Sequence, residues 1–155
     1  MATEGFEGFY VETRNYGATG AFWASLGFKN VFETDHGSGQ WEHPAGGPYV
    51  FINEQHDVAL ETHPILRVAD STAFAPDRVP DFAQPFTPQH WGVVEALVRD
   101  PDGRSISLQA PLPEGVTAPH AEVHHHEKYG NADPASRERP GMSVPGRRAP
   151  RAERP

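Results

Sequence analysis

Apolar and polar positions alternate in short runs over most of the chain, and Gly, Pro, Asn and Asp separate the runs. That is the pattern of half-buried strands joined by turns. FYVET at 9–13 is the first such run. NYGATGAFWASLGF at 15–28 switches to helical spacing through Ala18, Ala21, Phe22, Ser25 and Leu26, with Gly27 placed to stop the helix. NVFETDH (30–36), QWEHPA (40–45) and PYVFINE (48–54) then read as three strands joined by tight glycine turns. The first half is therefore β-α-β-β-β.

After a polar break the order begins again. HPILRVAD (63–70) reads as a strand and STAFAPD as a short helix. VPDFAQPF carries a strand that Pro80 and Pro85 confine to a sheet edge. HWGVVEALVRD (90–100) is a strand, DPDG a turn, and RSISLQAP the last strand. Two halves in one order predict an internal structural repeat, with modules at about 8–55 and 62–111 inside a domain of residues 1–115. Apolar residues thin out after Val116, so residues 116–155, rich in His, Pro and Arg, are expected to be a disordered tail.

Strand alternation sorts the side chains by face. One parity collects Phe9, Val11, Val50, Ile52, Leu66, Val68, Val94, Ala96, Val98, Ile106 and Leu108, the expected core. The other collects Tyr10, Glu12, Tyr49, Phe51, Asn53, His63, Ile65, Arg67, Trp91, Val93, Glu95, Ser105, Ser107 and Gln109. Water-facing strands are rarely this aromatic. Flat apolar walls with a few directional polar groups suit a bound organic ligand. The alternative is that this face packs on a second sheet at a dimer interface.

Composition narrows the chemistry. Without cysteine there is no disulfide, thiolate nucleophile or thiolate metal site, which suits a reducing compartment. The N-terminus lacks the basic start and apolar run of a secretion signal, and no stretch approaches a membrane span, so a soluble cytoplasmic protein without membrane association is expected. Residues 1–115 hold 6 Lys and Arg against 16 Asp and Glu, and such an acidic domain repels nucleic acid. There is no Ser-His-Asp pattern, nucleophile elbow or phosphate-cradling glycine loop. His120 and His124, with His125 and His126, would share a helical face if that segment turned helical, but a flexible His-rich tail is the plainer reading.

Three segments resemble one family. AFWASLGF (21–28) resembles the helix-end motif AFYxxLGF of the vicinal oxygen chelate superfamily, HPILRVAD its HxxFxVxD strand, and WGVVEALVRDPDGRSISLQ (91–109) its WGVREFxxRDPDGNxIEL segment. That superfamily holds glyoxalases, extradiol dioxygenases, fosfomycin resistance enzymes and bleomycin resistance proteins. The resemblance implies an α+β fold of two βαβββ modules forming a curved mixed sheet, a cup, and a homodimer with two equivalent sites. It implies fold more firmly than activity.

The superfamily's metalloenzymes hold a divalent ion through His or Glu on the first and last strands of each module, with ligands at about 2.1 Å. Carried onto this chain, the first position falls near Gly8, with Glu7 and Glu12 brought forward by a shift of register; the second falls on Phe51. His63 matches the third, and Ser107 stands where the last strand usually has Glu. One ligand in four remains, so no metal and no cofactor are expected.

The leading expectation is thus a metal-free small-molecule binding protein of the bleomycin-resistance type. It would hold an antibiotic-like aromatic or cationic compound in a cleft between subunits through Trp41, Tyr49, Phe51, Asn53, His63, Arg67, His90, Trp91, Glu95, Ser107 and Gln109. His63 serves equally as a cap on the strand at Pro64, and Glu95 equally as a partner of an Arg or a cross-strand neighbour. The alternative function is an enzyme of the same superfamily. It would be either a metal-free isomerase or cyclase with His63 or Glu95 as acid or base, or a metal-dependent lyase or dioxygenase.

Overall fold

The computed structural model describes residues 2–120. The described residues form an α+β fold, with eight strands in mixed parallel and antiparallel pairing and one α-helix. They divide into two compact units, residues 8–62 and residues 2–7 together with 63–120.

In the first unit, β1 (Phe6–Thr13) is followed by α1 (Tyr16–Ser25), β2 (Lys29–Glu33), β3 (Ser38–Glu42) and β4 (Tyr49–Glu54). The strands lie in the order β2-β3-β4-β1, with β1 parallel to β4 and the other pairs antiparallel. Asn15 opens α1 by accepting the Ala18 amide on its side-chain oxygen at 3.0 Å. Gly27, at φ +97, closes it, with the Gly27 and Phe28 amides returning to the carbonyls of Ala24 and Trp23. Tyr16, Gly17 and Gly20 are the buried positions of α1, and Tyr16 joins Trp41, Val50 and Ile52 in the core, with Val11, Trp23 and Phe28 beside them. A Cβ at Gly20 would stand 2.8 Å from Trp41 Cζ2, so the helix can rest on the indole only because that position is bare.

In the second unit, β5 (Thr62–Arg67), β6 (Asp81–Pro88), β7 (Val93–Arg99) and β8 (Ser105–Pro111) lie in the order β5-β8-β7-β6, with β5 parallel to β8. The proline-interrupted segment does form an edge strand, β6, and its pairing with β7 shifts register on both sides of Gln84. The helix expected in STAFAPD is reduced to a 3-10 turn, Ser71–Ala73, capped by Asp70. Pro76 and the lack of an apolar stripe leave nothing to extend it. Aromatic rings stand there instead, Phe74 meeting Phe86 edge-on at 5.5 Å over a core of Val68, Val94, Ala96, Val98, Leu108 and Ala110.

The strand expected from His90 begins at Val93. Residues 89–92 form the hairpin turn, closed by the Gln89 amide on the Val93 carbonyl at 2.8 Å, with Gly92 at φ +89. No described helix is long and apolar enough to cross a membrane. The stretch from 121 onward, including His124, His125 and His126, lies outside the described residues.

Candidate functional site

Cross-strand register decides which polar side chains meet. In the second unit Glu95 on β7 stands opposite Gln109 on β8, and Ser107 lies one repeat along the same face, opposite Leu97 and beside Ile65 of β5. Ser107 donates its hydroxyl to Glu95 Oε2 at 2.6 Å, and Gln109 Nε2 donates to the same oxygen at 2.9 Å. Gln109 Nε2 also lies 3.3 Å from Ser107 Oγ, which can only accept there because its one hydrogen is already given to Glu95. These contacts fix the Gln109 amide, since the reverse orientation would set its oxygen against the carboxylate. Gln109 Oε1 is thereby turned from Glu95 Oε2; it is buried and accepts no hydrogen bond from any described residue.

All three side chains are buried: Glu95 is 2% exposed, Ser107 0% and Gln109 5%. Gln84 on the edge strand donates to the Glu95 carbonyl at 3.3 Å, tying the backbone beneath the carboxylate. His63 is buried at the head of β5. Arg67, at the strand's other end, keeps 54% of its side chain in solvent, with Glu7 at 3.9 Å. An ion pair so wet and long adds little.

The corresponding face of the first unit has its own network. Asn53 Nδ2 donates to Tyr10 Oη at 2.9 Å, and Tyr10 donates in turn to Glu12 Oε2 at 2.9 Å. Glu12 Oε1 accepts the Glu61 amide at 2.9 Å. Beside these, Phe51 is buried, 6.5 Å from the Phe32 ring. Tyr10 and Glu12 belong to the polar parity yet were not among the expected site residues. Their pairing with Phe51 and Asn53 across β1 and β4 is the signal that joins them.

The metal positions of the superfamily can be tested one by one against this geometry. A Cβ on Gly8 would meet the Tyr49 ring at 2.5 Å, so the place of a first-strand ligand is filled by an aromatic side chain. Phe51 offers no donor. Glu12, the neighbour a register shift would bring forward, spends its oxygens on Tyr10 and the Glu61 amide, and Glu7 lies beside Arg67. Ser107 directs its proton to Glu95. Taken one at a time, these positions offer few donors, and among the described residues no three His, Asp or Glu side chains are grouped to hold a divalent ion.

Trp41 pairs with Val50 and lies in the core beneath α1, on the opposite face from Tyr49 and Phe51. His90 and Trp91 sit in the β6–β7 turn, the ring of His90 edge-on to the buried indole at 5.0 Å. The structure thus brings together Glu95, Ser107 and Gln109 in one unit, and Asn53, with Tyr10 and Glu12, in the other.

Several solved structures are similar to this chain to different degrees. A glyoxalase/bleomycin resistance protein/dioxygenase superfamily member from Vibrio splendidus 12B01 superposes with a TM-score of 0.53 at 13% identity, covering 66% of this chain and 96% of its own. A protein from Legionella pneumophila described as an NAD-dependent benzaldehyde dehydrogenase gives the same TM-score, 0.53, at 13% identity, covering 67% and 97%. A bleomycin-binding protein complexed with bleomycin is 21% identical over 66% of this chain and 95% of its own, with a TM-score of 0.27. No family model and no curated protein matches the sequence. The fold is that of the vicinal oxygen chelate superfamily, with the second helix reduced to a turn.

Proposed function

We propose that this chain binds a small organic molecule without a metal ion and holds it unchanged, in the manner of a bleomycin-resistance protein. The observation that carries this reading is the Glu95, Ser107 and Gln109 group, a buried set of hydrogen-bonding side chains in which Ser107 occupies the position where, by the resemblance, the superfamily's last strand has Glu. A hydroxyl that donates to a neighbouring carboxylate is arranged to hold that carboxylate in place.

The aromatic side chains Tyr49 and Phe51 supply flat apolar surface, and the acidic balance of residues 1–115 favours a cationic or aromatic compound over an anion. His63 and Arg67 are further candidate contacts, with His90 and Trp91 placed at a turn from which they would line the rim. The working form is a cytoplasmic homodimer with the ligand held between subunits. Nucleic acid is no partner of so acidic a domain.

The test is a calorimetric titration of the full-length protein with bleomycin and with cationic aromatic dyes, followed by mass spectrometry of the recovered compound and elemental analysis of the protein. Stoichiometric binding with the compound recovered intact supports the reading. Consumption of the compound would favour acid-base catalysis through Glu95, and a retained divalent ion would favour a metal-dependent enzyme.

A further inference from the structure

The unsatisfied oxygen of Gln109 says what kind of group the site takes. A buried amide oxygen without a donor has lost its hydration with nothing in exchange, so native structures rarely keep one without a water or ligand to fill it. Here the amide cannot turn to relieve it, because Nε2 is committed to Glu95 Oε2 at 2.9 Å and to Ser107 Oγ at 3.3 Å. The occupant must therefore bring a hydrogen to Gln109 Oε1. It must do so only the width of one amide group from the Glu95 carboxylate, which Gln109 Nε2 meets at 2.9 Å and whose charge favours a positive group nearby.

Hydroxyls and neutral amides carry lone pairs as well as hydrogens; a protonated amine or amidine carries hydrogens only. We infer that Gln109 Oε1 and the adjacent Glu95 carboxylate form a recognition site for a protonated nitrogen, an ammonium or amidinium group on the ligand. Ser107 is a positioning residue in this arrangement, holding Glu95 through its 2.6 Å hydrogen bond and accepting from Gln109. The inference rests on the metal-free binding reading and narrows it to a chemical class.

The test uses the full-length protein and four probes, benzylamine and benzamidine against benzyl alcohol and benzamide, followed by NMR of the Gln109 side-chain amide. The cationic probes are expected to shift that resonance and to bind about tenfold or more tightly than their neutral counterparts. Gln109→Leu should remove that preference, bringing the cationic probes down to the level of their neutral counterparts. Should Gln109→Leu fail to fold, Gln109→Asn, which withdraws the oxygen by one methylene, is expected to weaken the cations more than the neutral probes. Equal binding of charged and neutral probes, shifts confined to other residues, or no binding, with a buried water as the sole occupant, would each overturn the inference. Bleomycin binding that survives Gln109→Leu without any cation preference sinks this inference and leaves the broader reading standing. A divalent ion held in place of every organic probe sinks both.

Discussion

The ring of Tyr49 lies where a side chain on Gly8 would have to go: a Cβ built there stands 2.5 Å from Tyr49 Cε1 and 2.7 Å from its Cδ1 and Cζ. The two residues are direct partners across the parallel strands β1 and β4. A glycine opposite a large aromatic lets the ring lie flat over the neighbouring strand, and the same step removes a first-strand ligand. Gly8→Ala should therefore cost about 1–3 kcal/mol through overpacking, and Tyr49→Ala in the same chain should recover part of it. Urea midpoints of the two single variants and the double variant measure this coupling. Additive effects would show that the ring moves aside freely.

A second close approach holds the helix side of the same unit. A Cβ on Gly39 would come within 2.1 Å of the Tyr16 hydroxyl oxygen and 2.9 Å of the Phe32 carbonyl. Gly39→Ala is expected to destabilise by at least about 1–3 kcal/mol. Adding Tyr16→Phe should recover only part, because the Phe32 contact is backbone and cannot retreat. Burial, and after it the negative charge of Glu33, pushes the Tyr16 pKa up from 10.0. A raised folded-state value means that Tyr16 contributes stability that falls as pH climbs past 10.0, so alkaline denaturation should be steeper in the native chain than in Tyr16→Phe.

The alternation of Val50 with Phe51, and of Ile106 with Ser107, sorts most of the core to its face, because period two is a local property of a strand. Long-range facts decide the rest. Trp41 stands in a short run with two polar neighbours, and only its pairing with Val50 puts it under the helix. STAFAPD has some helical propensity, but Phe74 packs on Phe86, a residue twelve positions away, and a 3-10 turn suffices to place it. The polar group was visible as residue types of one parity. That Glu95 faces Gln109 and not Ser107 depends on the β7–β8 register, which alternation alone leaves open.

The DPDG turn is the best-specified loop of the chain. Asp100 Oδ1 accepts the amides of Arg104 at 2.8 Å and Asp102 at 2.9 Å, and the Gly103 amide returns to the Asp100 carbonyl. The Arg104 amide first, then the Asp102 amide and the Arg104 guanidinium, hold the Asp100 carboxyl below the usual carboxylate range. A depressed folded-state pKa means that the turn is fully held above the ordinary value of 3.8 and loosens as pH falls through the lower one. An NMR titration should place the Asp100 midpoint below the ordinary value of 3.8. Asp100→Ala should speed hydrogen exchange at Asp102 and Arg104 without altering the Gln109 amide. A midpoint at the ordinary value would show that these bonds do not persist in solution.

Returning the superfamily's carboxylate to the last strand is the most direct trial of the site. Ser107→Glu would place a second carboxyl against Glu95, whose Oε2 accepts the native hydroxyl at 2.6 Å. Two carboxylates in so buried a place cannot both ionise cheaply, so the pKa of the pair's second ionisation must rise. A folded-state pKa above the unfolded one binds protons to the native chain. The variant's stability is then greatest below the ordinary glutamate value of about 4.3 and is lost as pH rises through the raised value. Each unit of that rise is worth about 1.4 kcal/mol, so the urea midpoint of Ser107→Glu should fall between pH 5 and pH 8 while that of the native chain stays nearly level. Manganese or zinc added at the higher pH decides the remaining question. The introduced carboxylate and Glu95 would offer the ion two adjacent oxygen donors, so a partial return of stability is expected from charge neutralisation alone. Full recovery on adding the ion would mean that a third ligand reaches the same point, and the metal-free reading would have to be given up.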